Sequence, residues 1–157
     1  MSTAKVNNLQ HTDIATSSIR LSSDGSVSLY FGNNERIKAV TAGCEVTGTI
    51  LDNKGNVRSI PSNAQGGAYV AVAADAGKAI YISTGGVTLN NSVFSAGDAI
   101  TIINNSGSNQ TITQGSGLTI YNTADAATGN RTLAGRGMCT IWFAAANTAY
   151  ISGAGLS

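Results

Sequence analysis

Leu29-Tyr-Phe-Gly-Asn-Asn-Glu-Arg-Ile-Lys-Ala-Val-Thr-Ala-Gly-Cys-Glu-Val-Thr-Gly-Thr-Ile50 is a run of very short strand signals separated by Gly and Asn turns. Each piece offers two or three large apolar side chains: Tyr30 and Phe31, then Ile37 and Val40, then Val46 and Ile50. Charged residues lie between them. An isolated two-stranded hairpin is marginal in water, so pieces this meagre need partners to bury their apolar side. Other copies of the same segment are the nearest source. Tyr30, Phe31, Ile37, Val40, Val46 and Ile50 are therefore expected at an interface between copies.

Outward from this run the composition changes. Residues 1–59 hold Lys5, Asp13, Arg20, Asp24, Glu35, Arg36, Lys38, Glu45, Asp52, Lys54 and Arg58, whereas residues 60–157 hold only Asp75, Lys78, Asp98, Asp125, Arg131 and Arg136. A chain of 157 residues accommodates an accessory segment plus one domain of about 100 residues. The charge shift places a boundary near Asp52 to Pro61. The expected division is an N-terminal arm over 1–20, a β segment over 21–59 and a head over 60–157.

The same composition excludes several functions. A net charge of +1 with no run of Lys or Arg gives no field for nucleic acid or an anionic membrane. The longest apolar-looking stretch, Cys139 to Ala146, is far shorter than the roughly 18 to 20 residues that cross a bilayer. No apolar core of signal-peptide type follows Met1, so assembly in a cytosol is expected. Cys44 and Cys139 fall in different segments without C-x-x-C spacing and read as two free thiols.

Helix signals are nearly absent, and the 19 Gly residues interrupt most candidates. Strand signals recur instead: Tyr69 to Val72, Ala79 to Ser83, Val87 to Leu89, Ala99 to Asn104, Thr111 to Gln114, Leu118 to Tyr121, Gly137 to Ala144 and Ala149 to Ser152. Between them lie turn-forming groups such as Gly85-Gly86, Ala96-Gly97-Asp98 and Asn104-Asn105-Ser106-Gly107. Short strands at this spacing predict an all-β fold, with an antiparallel, jelly-roll-like β-sandwich for the head. In Ile100-Thr-Ile102 and Leu118-Thr-Ile120 the apolar positions alternate with Thr, as a half-buried sheet requires. Met138 to Phe143 is partly apolar on both sides, so Trp142 should be covered by a loop or by another subunit.

Catalytic chemistry finds little support. His11 is the only histidine and lies outside the head, which excludes a Ser-His-Asp or Cys-His site there within one chain. No cofactor or metal ligand set is expected. A glycosidase-like carboxylate pair in the head would have to come from Asp75, Asp98 and Asp125, and the first two sit where turn capping explains them. Leu133-Ala-Gly-Arg-Gly-Met138 lacks the Lys-Ser/Thr of a phosphate-binding loop and reads as a tight turn or bulge. A binding surface is expected in the loop Tyr121 to Arg136. Tyr121, Asn122, Asn130, Arg131 and Arg136 combine an aromatic platform with amide and guanidinium donors suited to hydroxyl-rich glycans, unless Tyr121 is core or interface and the arginines are merely solvated.

Leu29 to Ile50 resembles the repeating shaft units of bacteriophage tail fibres, especially those of phages of marine cyanobacteria. Residues 64–157 are similar to the C-terminal heads of the same fibres, through Ala68 to Lys78, Phe94 to Asp98, Ile102 to Gly115, Tyr121 to Asp125 and Tyr150 to Gly155. The resemblance implies an intertwined shaft of three chains, so the interface above becomes a trimer interface, with Trp142 packed around the same axis. It also implies a non-enzymatic structural protein of the virion surface, a short tail fibre or fibre tip that attaches to a host glycan or protein. Long tail fibres carry a large tail-anchoring domain, whereas here about 20 residues precede the first expected strand. The alternative is a head fibre or capsid decoration protein docked on another virion protein through residues 1–20. A glycan-cleaving spike ranks after both.

Overall fold

A computed structural model describes residues 8–10, 17–53 and 55–157. The chain divides into two units, Met1–Ile50 and Leu51–Ser157. Both are built from strands, as the sequence predicts, and the one helical element among the described residues is a 3₁₀ turn at Ala73–Asp75.

In the first unit β1 (Asn8–Gln10), β2 (Ser17–Leu21), β3 (Val27–Phe31), β4 (Asn34–Val40) and β5 (Gly43–Val46) form an antiparallel meander in chain order. The turn between β2 and β3 is chemically specified. Asp24 Oδ1 accepts the Ser26 N–H at 2.9 Å, with Gly25 at φ +84° between them. Ser26, through its side chain first and this N–H second, holds the Asp24 carboxyl below its usual range. Asn8–Gln10 and Ser17–Arg20, expected in a separate arm, belong to this sheet. The rest of the arm, including His11, lies outside the described residues.

The second unit begins with a short hairpin of β6 (Leu51–Asp52) and β7 (Gly55–Asn56). Two parallel ladders follow. One stacks β8 (Ser62–Gln65), β10 (Ala79–Ile82) and β12 (Ala99–Asn104); the other stacks β9 (Tyr69–Val70), β11 (Val87–Leu89) and β13 (Gln110–Gln114). The chain thus winds from one ladder to the other and back in short rungs, the arrangement of a β-solenoid. β14 (Thr119–Asn122) follows, then the long β15 (Arg131–Ala145) and β16 (Thr148–Leu156). β15 pairs antiparallel with β12 through Met138–Trp142 and with β13 through Arg131–Leu133, so one strand closes both ladders. Its far side pairs with β16, which in turn lies parallel to β14.

The all-β fold expected for the head is present, but the antiparallel pairing expected within it is corrected in part: β8, β10 and β12, and β9, β11 and β13, pair parallel in a mixed, nearly closed sheet. Alternation reveals which side of a strand is buried but not the direction of its neighbour, and Thr-Ile-Thr serves a rung as well as a hairpin. Ile80, Ile82, Ile100 and Ile102 from one ladder meet Val87, Leu89 and Ile112 from the other, all at most 1% exposed. Ile141, Phe143 and Ile151 close the core, and Phe94 stacks on Phe143 at 4.4 Å. Gly86, at φ +72°, lies where a Cβ would collide with the Thr111 carbonyl, so the second rung turns there only because the position is glycine. Cys139 is buried, which pushes its thiol up to about 12, while Cys44 is exposed; both are free.

Candidate binding surfaces

Three features of the described residues bear on function, and each follows from strand register.

The first is the sheet of the first unit. Ile19, Leu29, Ile37 and Val46 pair across β2 to β5 in one row. Leu21 and Val27 pair on the same face, and Ala39 and Cys44 continue it. The opposite face carries Arg20, Ser28, Lys38 and Glu45 in register. At the two central strands the burial is inverted, with Leu29 and Ile37 each 39% exposed and Phe31 77%, whereas Ser28 on the other face is 2% exposed; at the flanking strands Ile19 and Val46 are half-buried and Arg20 and Glu45 exposed. A sheet with one apolar face is stable only when another layer covers it.

This register sorts the expected interface residues. Ile37 and Val46 lie on the apolar face together with Phe31. Tyr30 and Val40 lie on the other, where the Tyr30 hydroxyl donates to Glu35 Oε2 at 3.1 Å. Ile50 follows the last strand and is 37% exposed. The sequence reading passed over Leu21, Val27 and Leu29, which the sheet places beside Ile37.

The second feature is the outer face of the second unit. Tyr121, Tyr150 and Trp142 stand in register across β14, β16 and β15, with Ala99 of β12 next in the row. Tyr121 and Tyr150 stack at 5.5 Å, and Tyr150 and Trp142 lie 6.3 Å apart at 34°. Beside this ridge runs a row of small side chains, Ser152, Thr140, Thr101, Ala79 and Ser62. A third row, Ala154, Met138, Ile103, Tyr81 and Ala64, flanks it. None of these side chains is charged. Trp142 remains 48% exposed, so among the described residues no loop covers it.

The residues expected to bind glycan do not converge. Only Tyr121 belongs to the aromatic row. Asn122 is 6% exposed and caps its own turn through the Ala124 N–H. Asn130 accepts the Gln114 N–H at 2.9 Å. Arg131 has its Nε and Nη2 buried without a hydrogen-bond partner. Arg136 lies at the other end of β13, at φ +63°, where its Nη1 donates to the carbonyl and side-chain oxygens of Asn105 at 2.8 and 2.7 Å. It fastens the corner at which β15 passes from one ladder to the other.

The third feature is polar and internal. At the first rung Asp75, 2% exposed, accepts from Asn63 Nδ2 at 2.7 Å, the Tyr69 hydroxyl at 2.9 Å and the Val72 N–H at 2.9 Å. Gln65 Nε2 donates to Asn63 Oδ1 at 2.6 Å. These groups end the apolar column with a satisfied polar layer, as the terminal rung of a solenoid requires. Asp98 and Asp125 accept from Ser95 N and Ala127 N in their own turns, both at 2.9 Å. Among the described residues no group of His, Cys, Asp and Glu could hold a metal ion, and no helix is long and apolar enough to cross a membrane.

The Tyr69 phenol is raised above 10.0, by burial and then by its bond to Asp75. The raised group stabilises the fold fully below the unfolded value and loses that contribution as pH climbs through the folded one. Tyr69→Phe should therefore be less stable than wild type at pH 7, by about 1 kcal/mol for the lost part-buried bond to Asp75. In thermal melts followed by circular dichroism, the gap should narrow above pH 10. A gap constant to pH 11 would show that Tyr69 does not titrate with unfolding.

No protein-family model, curated protein or solved structure matches the chain.

Proposed function

We propose that the chain is a non-enzymatic structural protein of a bacteriophage virion, a homotrimeric short tail fibre or fibre tip that helps attach the particle to its host. The observation that carries this reading is the apolar row Ile19, Leu29, Ile37 and Val46, open at its centre, where Leu29 and Ile37 are each 39% exposed, and backed by a charged opposite face. Three such sheets turned inward around an axis bury this row, at about 25 cal/mol per Å² of apolar surface removed from water. The fibre-like motif order along residues 29–50 and 64–157 supports the same reading. The second unit, with its own packed core, serves as the head.

Light scattering of the purified chain tests the assembly, with three times the chain mass expected; a monomer at micromolar concentration overturns it. Antibody labelling of virions tests the placement. Label at the tail is the expected result, label over the shell moves the protein to capsid decoration, and unlabelled particles refute a virion role.

A further inference from the structure

We propose that the aromatic row of the second unit is a shelf for a neutral saccharide, with the outer face of the Trp142 indole as its wall. This deepens the attachment reading and rests on it only for the source of the sugar.

Stacking geometry identifies the open ring face. Tyr121 and Tyr150 turn their faces to each other at 5.5 Å and 25°, and the second face of Tyr150 is turned to Trp142. The stack stops at Trp142, because the next strand carries Ala99 in register. Beyond Ala99 comes Gly77, whose N–H donates to the Ala99 carbonyl at 2.7 Å. Nothing lies within 4 Å of the point where a Gly77 Cβ would stand. Alanine followed by glycine leaves a notch along the indole.

The chemistry around the notch selects the occupant. A pyranose presents an apolar C–H face, which an indole matches, and a rim of hydroxyls, which need polar partners. The Thr101 and Thr140 hydroxyls stand 3.5 Å apart in the adjacent row, with Ser152 next to Thr140. The three outer rows contain no charged side chain, so nothing there favours an acidic or basic ligand. A second copy is the poorer occupant. Strong self-association suits a face of branched aliphatic residues, which the first unit supplies in Leu21, Val27, Leu29, Ile37 and Val46. On the second unit most aliphatic residues point into the core, and the outside is mainly tyrosine, tryptophan, threonine and serine.

Trp142 is the only tryptophan, so its emission reports this one place. The full chain should be titrated with neutral hexasaccharides of glucose, galactose, mannose and N-acetylglucosamine. At least one should shift the emission saturably in the millimolar range. Ala99→Leu, which fills the notch and keeps the indole, should weaken that sugar about tenfold. Trp142→Ala should abolish saturation transfer from protein to sugar in NMR while leaving the scattering mass unchanged. The shelf is refuted if none of the four sugars shifts the emission, or if Ala99→Leu binds like wild type. It is equally refuted if Trp142→Ala lowers the assembly mass, because the row is then a subunit contact.

Adsorption separates the shelf from the attachment reading. Labelled protein that binds the sugar but not the cells on which the particle adsorbs leaves the shelf and removes attachment. Adherence that survives both substitutions leaves attachment and removes the shelf as its route.

Discussion

Ile37→Asp should dissolve the assembly into monomers, read by light scattering as a drop to one third of the wild-type mass. Ile37 sits at the middle of the open row, between Leu29 and Val46. Burying an isoleucine against a partner contributes about 1.5–3 kcal/mol per chain, and a carboxylate forced into the same place costs several more. In a trimer both effects recur three times. Val40→Asp is the matched control, since Val40 lies three residues along the same strand and hence on the other face. It should leave the mass unchanged. If Val40→Asp dissolves the assembly and Ile37→Asp does not, the sheet packs by its charged face and the trimer argument fails.

Asn104→Ala should be the most damaging single substitution of a polar residue, lowering the stability of the second unit by about 3–5 kcal/mol. The side chain is 1% exposed and ties the corner between β12 and β13 to β15. Its Nδ2 donates to the carbonyls of Ser108, Leu133 and Ala134 at 2.8, 3.1 and 2.9 Å, and its Oδ1 accepts from the Ser106 N–H and hydroxyl at 2.9 and 2.7 Å. Alanine strands those groups, and an unsatisfied buried polar group costs about 1–3 kcal/mol. Asn104→Asp should rescue little, because a carboxylate offers no donor to the three carbonyls. Urea unfolding followed by Trp142 emission measures both. A loss below about 1 kcal/mol, the worth of one ordinary hydrogen bond, would mean that water replaces the side chain and the corner is not held by Asn104.

Much of the second unit was legible because its strands alternate cleanly. Val87–Leu89 and Ala99–Asn104 form strands over the very residues that carry the strand signals. Ser62–Gln65 gives no strand signal because Ser-Asn-Ala-Gln carries no β-branched or aromatic residue; it is a strand through its parallel neighbour β10 and the bonded Asn63 and Gln65. The first part of β15 was read as loop for a related reason. Arg131 to Arg136 mixes charge and glycine, and its extension comes from β13, not from local preference.

In the first unit the strands were visible but their faces were not. Ile37 and Val40 were grouped as neighbours, although an odd spacing in a strand sends them to opposite sides. Arg36 compounds this, because Leu29 pairs with Ile37 while Tyr30 pairs with Glu35, which leaves Arg36 as the extra residue of a bulge. Of the expected glycan-binding set only Tyr121 lies in the aromatic row. The others were chosen by chemical type within one loop, and type does not reveal that Asn122 points inward or that Arg136 is occupied by Asn105. The row that joins Tyr121 to Tyr150 and Trp142 depends on pairings between distant segments, which no local window contains.

The strand that closes both ladders also sets when folding can finish. β12 and β13 are neighbours in sequence, yet within the sheet only β15 links them, and β15 is synthesised after both. A nascent chain that has emerged only to Asn130 therefore holds two ladders that meet through apolar side chains but have no strand to hydrogen-bond them together. Closure waits for contacts of large sequence separation, the slow class of folding step. The order of synthesis thus makes the last part of the chain the latch of the whole second unit, and during that wait its unpaired strand edges are open to misassembly with neighbouring chains.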